Sequence, residues 1–149
     1  MVVRLMAKIK TISDPDKIPE IVDVIHDCWF EKESIGLDDS NAALSIRFRR
    51  KKSDRKERAR TGLLLRKTSV IFLECFLRIY HVEKYSIEDS ANVGSYNFNE
   101  IRYDRSTGQL EISTGVPISI NIKVKRFEVS VEETDTIVDR KESWSIWPW

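Results

Sequence analysis

The chain has 149 residues, 41% of them hydrophobic, which is the usual size of one domain with one core, so residues 1–149 are read as a single domain. Its 25 basic and 24 acidic residues leave a net charge of +1, which by itself selects no partner. No stretch nears the roughly 20 apolar residues needed to cross a bilayer, and Arg4, Lys8 and Lys10 interrupt the amino-terminal apolar run. Cys28 and Cys75 lie in apolar stretches, as reduced thiols do, so a cytoplasmic protein without a membrane partner is expected.

In "VVRLMAKIKTI" the alternation of Val3, Leu5, Ala7 and Ile9 predicts a strand with one buried face, although Val2, Leu5, Met6 and Ile9 also fit helical spacing. "SDPDKIPE" follows, with Asp16 as a cap and Pro19 early enough in a helix to cost no internal hydrogen bond. Ile18, Ile21, Val22, Ile25 and Trp29 then recur at helical spacing, predicting one helix over about 16–28. A short strand near 29–35 and the Asp-Asp-Ser-Asn turn lead to "ALSIRFRR", where Leu44, Ile46 and Phe48 face one way and Ser45, Arg47 and Arg49 the other.

The run from Lys51 to Arg60 has no large apolar residue, cannot be core, and is expected to be a loop or hairpin tip. "LLLRKTSVIFLECFLRIYHVEKY" predicts one central strand, with Ile71, Leu73, Cys75, Leu77 and Ile79 on one face; a buried helix pairing Glu74 with Arg78 competes with it. "SIEDSANVGS" reads as turns with a helical turn after Ser86. "YNFNEIRYDRSTGQLEIST" reads as a hairpin in which Gly108 closes the loop. In the last long strand Ile118, Ile120, Ile122 and Val124 share a phase that Phe127, Val129 and Val131 reverse, which predicts a β-bulge near Lys125 or Arg126. Many strands, short turns and one helix make an α+β fold, mostly β: a curved antiparallel sheet or small barrel with one main helix packed on it.

Three groups of residues could carry function. His26, Asp27 and Cys28 are of catalytic and metal-ligating types, but neighbours on a helix point about 100° apart and cannot converge on one ion. His81 and Cys75 are the only further His and Cys, too few to call for a zinc site, so no metal and no cofactor is expected; His26 and Asp27 are kept as a polar site. Residues 47–67 hold eleven Arg or Lys against Asp54 and Glu57, leaving 14 basic and 22 acidic residues elsewhere. Arg49, Arg50, Lys51, Lys52, Arg55, Lys56, Arg58 and Arg60 form a candidate surface for nucleic acid or another polyanion, without the interleaved aromatics that stack bases. The plainer reading of that run is a solvated hairpin facing acidic neighbours. Trp144, Trp147 and Trp149 make the third group, either folded back on the sheet or forming an interface with another protein or a second copy.

No phosphate loop, nucleophile elbow, His-Glu-x-x-His or Cys-x-x-Cys occurs, so a binding module is expected before an enzyme. The helix end running into His-Asp and a strand, "VIHDCWFEKESI", followed by "LSIRFRR", resembles a pattern in small bacterial domains of unknown function. Some of these are similar to immunity proteins of contact-dependent or polymorphic toxin systems. The resemblance covers about residues 18–50 and implies an α+β binding module without catalysis, with His26 and Asp27 as structural markers. The long basic stretch departs from it.

Overall fold

The computed structural model describes the backbone of residues 6–38, 40, 42–58, 65–115 and 118–146, and the side chains of 9–38, 40, 42–52, 69–115 and 118–142. Its elements run β1 (Met6–Ile12), a 3-10 turn (Pro15–Lys17), α1 (Ile18–Ile25), β2 (Trp29–Asp38), β3 (Ala43–Arg58), β4 (Leu65–Ile79), β5 (Val82–Glu88), β6 (Ser95–Asp104), β7 (Gln109–Thr114), β8 (Ser119–Val124) and β9 (Val129–Ile146). The nine strands form one open antiparallel sheet in the order β1-β9-β4-β3-β2-β6-β7-β8-β5. The α+β, mostly β expectation therefore holds, in its curved-sheet form.

Alternating apolar residues build one core from most of these strands. Leu44, Ile46 and Phe48 of β3 meet Cys75, Leu77 and Ile79 of β4, and Leu110, Ile112, Ile120 and Ile122 complete the layer from β7 and β8. Phe98 sits at its centre, stacked on Phe30 at 4.5 Å and edge-on to Phe48 at 5.4 Å. Helix α1 buries Ile21 and Ile25 against this layer, with Ile18 and Val22 beside them.

The helix is shorter than the apolar spacing predicts. The cap is Asp14, whose carboxylate accepts from the Asp16 N–H at 2.9 Å, and Pro15 opens a 3-10 turn rather than an α-helical one. At the other end Asp27 takes φ 64°, so α1 stops at Ile25 and Trp29 belongs to β2, not to the helical stripe. Asp is among the residues that enter this left-handed region at least cost.

Two stretches that read as single long strands are each broken at one shared corner. Ile79 pairs with Val129 on one side of it and Val82 with Val124 on the other. Between them Tyr80 N–H donates to Glu128 C=O at 3.0 Å and Lys125 N–H to His81 C=O at 2.9 Å. Two residues on one chain segment thus face four on the other, and the longer path turns the ribbon. The bend lies where the phase change put it, but its device is this corner with His81 at φ 58°, not a one-residue bulge. The segment expected to begin a helical turn at Ser86 is instead the end of β5. The β6–β7 hairpin forms as expected, with Gly108 at φ 73° and its N–H donating to Asp104 C=O at 2.9 Å.

From Lys51 to Arg58 the run is a strand and not a loop; Ala59 and Arg60 lie outside the described residues. β3 continues to Arg58 and pairs with β4 as far as Arg58↔Arg66, while β9 pairs with β4 out to Leu65↔Ile146. Strand pairing uses backbone groups, so a charged segment that cannot be core can still be a strand. The outer halves of β3, β4 and β9 make a three-stranded arm.

Candidate functional site

The end of α1 positions the first candidate residues. His26 N–H closes the helix on Val22 C=O at 2.8 Å, and Asp27 N–H reaches across to Phe98 C=O at 3.0 Å, while Cys28 C=O accepts from Phe98 N–H at 3.0 Å. The chain is thereby tied to β6 before β2 begins. His26 Nδ1 lies 3.2 Å from Asp27 Oδ2, and both side chains are exposed. The Cys28 thiol points back, donating to Val24 C=O at 3.6 Å, and burial pushes its pKa up to about 11; Cys75 is pushed up to about 12 by burial and by the Glu133 carboxylate. Both thiols stay protonated at neutral pH and are poor nucleophiles there. Among the described residues no three His, Cys, Asp or Glu side chains gather as a metal ion requires.

The structure brings the helix exit and the foot of the basic run together. His26, Asp27, Arg49, Arg50 and Lys51 line one cleft of about 750 Å³, joined by Asp23, Cys28, Trp29, Phe72 and Lys141. The register explains the meeting. β2 covers β3 only as far as Trp29↔Arg49, so residues just before Trp29 face the stretch of β3 that β2 leaves bare. Trp29 is 42% exposed and, with Arg49, also lines a second depression of about 310 Å³ containing Glu31, Arg47, Val138 and the buried Glu74. The Trp29–Arg49 pair is therefore a ridge between two hollows.

The cations at this foot have internal partners. Arg49 Nη1 meets Glu31 Oε1 at 3.1 Å, and Glu133 receives both Arg50 and Lys52 at 3.1 Å. The Lys141 ammonium stands 5.5 Å above the Phe72 ring. His81 does not join the cleft; its Nε2 lies at the strand corner, 2.8 Å from Glu128 Oε1.

Arg55, Lys56 and Arg58 lie on β3 and Trp144 on β9, where Lys67↔Trp144 pairs it with β4. Their side chains, and all of Arg60, Trp147 and Trp149, lie outside the described residues. Sequence reading missed Trp29, Phe72, Lys141, Glu31 and Glu133 as members of this region. The early helix stop was the only signal for Trp29, since it moves that residue from an inward stripe to an outward strand position. No family model, curated protein or solved structure matches the chain.

Proposed function

We propose that this chain is a non-enzymatic intracellular binding module that captures another protein through the helix-exit cleft and the Trp29–Arg49 ridge. The observation that carries this reading is the exposed Trp29 beside Arg49 between two hollows, because tryptophan and arginine set next to pockets are the usual anchors of protein interfaces. The protonated thiols and the divergence of His26 and His81 support binding over catalysis. An immunity-type role, in which the domain acts by covering its partner, fits the same reading.

The test uses the full chain and its Trp29→Ala and Arg49→Ala variants as bait at physiological salt after nuclease treatment. A stoichiometric protein retained by the wild type and lost by both variants is the expected result. Capture indifferent to Trp29 removes the reading.

A second reading, nucleic-acid or polyanion binding through residues 49–60, has the density of basic residues along β3 in its favour. Against it, Glu31 and Glu133 already compensate Arg49, Arg50 and Lys52. It predicts salt-sensitive retention on heparin that is abolished by neutralising Arg49, Arg50, Lys51 and Lys52; absence of retention at low salt rules it out.

A further inference from the structure

We infer that the bare edge of β3, from Lys52 to Arg58, accepts an extended acidic segment of a protein partner as an added strand that ends in the helix-exit cleft. This rests on the protein-binding reading above and names the chemistry of the partner.

The backbone topology carries the argument. β3 has β4 on one side from Leu44↔Ile79 to Arg58↔Arg66, with one irregularity at Lys52 between Lys51↔Phe72 and Ser53↔Ile71. On its other side β2 ends at Trp29↔Arg49, and among the described residues no strand or turn bonds to the backbone of Lys52–Arg58 there. Such an edge presents a row of N–H and C=O groups that a guest chain can complete. Each described pairing in this sheet is antiparallel. An antiparallel guest would run in the same direction as β2, and its carboxy-terminal end would stop where β2 starts.

Charge selects the guest. The edge sequence carries Lys52, Arg55, Lys56 and Arg58 against Asp54 and Glu57, and the cleft at its end holds Arg49, Arg50, Lys51 and Lys141 against Asp23 and Asp27; with Glu31 and Glu133 counted as the partners of Arg49, Arg50 and Lys52, eight cations still face six carboxylates. A cationic edge repels the same edge of another copy and favours an acidic strand.

The experiment titrates the isotope-labelled full chain with an end-blocked eight-residue peptide of alternating Thr and Glu, and with a copy N-methylated at every residue, so that neither of its edges can donate. The two carry the same charge, but the copy cannot complete a strand edge. Expected are amide shifts along 52–58 and at Asp27–Trp29 for the first peptide, with at least ten-fold weaker binding of the copy. Equal binding of the two, or stronger binding of an eight-nucleotide single-stranded DNA, overturns the inference in favour of plain polyanion attraction. Arg55→Pro and Lys56→Pro supply an independent check, since adjacent strand residues direct their N–H groups to opposite sides. The variant that keeps its β4 amides protected has lost only an outward N–H and should lose the peptide; unimpaired binding by it overturns the inference. Failure here with Trp29-dependent capture intact locates the partner in the cleft and off the edge.

Discussion

The core part of the sheet and the three-stranded arm beyond it share strands β3, β4 and β9 under opposite constraints. In β3, Leu44, Ile46 and Phe48 are fixed by what they bury, and shifting the register by one residue would turn all three to water. Beyond Arg50 the same strand has no apolar alternation to set its register, and it follows the backbone ladder with β4, with Lys52 also held by Glu133. Burial thus stabilises one half, and pairing shapes the other. The core half can be expected to tolerate little and the arm half much.

The largest test of that contrast is Phe98→Ala. Phe98 is fully buried between Phe30 and Phe48, and its loss should cost about 3–5 kcal/mol, read as a lowered urea midpoint. Next is Gly108→Ala. The added Cβ would sit 2.8 Å from Val124 C=O in a left-handed backbone position, so a loss of about 1–2 kcal/mol or more is expected in the same assay.

A third test uses pH. The Tyr96 hydroxyl, aided by the Asn92 N–H and Lys32, holds the Asp89 carboxyl below its ordinary value. Because the folded pKa is the lower one, the stability it contributes is present above the unfolded value of about 3.9 and is lost as pH falls through the folded value. Wild type should therefore lose more stability between pH 5 and pH 2 than Tyr96→Phe, with equal losses counting against the assignment. The smallest effect belongs to the arm: Ile137, 47% exposed, should accept serine within about 0.5 kcal/mol.

The same contrast explains what could be read from the sequence. The core strands and the β6–β7 hairpin were legible because alternation and a left-handed glycine are local signals; Leu44 to Phe48 and Gly108 each sit where the pattern puts them. The corner was half legible. The phase reversal between Val124 and Phe127 marked the bend, but its partner break at Tyr80–His81 lies in a run with no proline or glycine to announce it. The arm was hidden because the outer stretch of β3 carries no hydrophobic period, and backbone pairing leaves no mark in the sequence.

The cleft was legible only in part, for a related reason. His26, Asp27 and the basic residues stand out by type, whereas their convergence follows from where β2 stops covering β3. That is a property of two strands in register, and neither segment carries it alone. Glu133, more than 80 residues from Arg50, is likewise invisible until β9 crosses β4.

From Lys51 to Arg58 the basic run is a paired strand whose other edge, among the described residues, is bare and leads into the helix-exit cleft. Amide hydrogen exchange resolved along residues 52–58 tests it most directly. Pairing with β4 predicts alternation, slow exchange for amides turned toward β4 and fast exchange for those turned outward, with Thr68 to Phe72 of β4 protected throughout. Uniformly fast exchange across 52–58, as in a solvated loop, would contradict it.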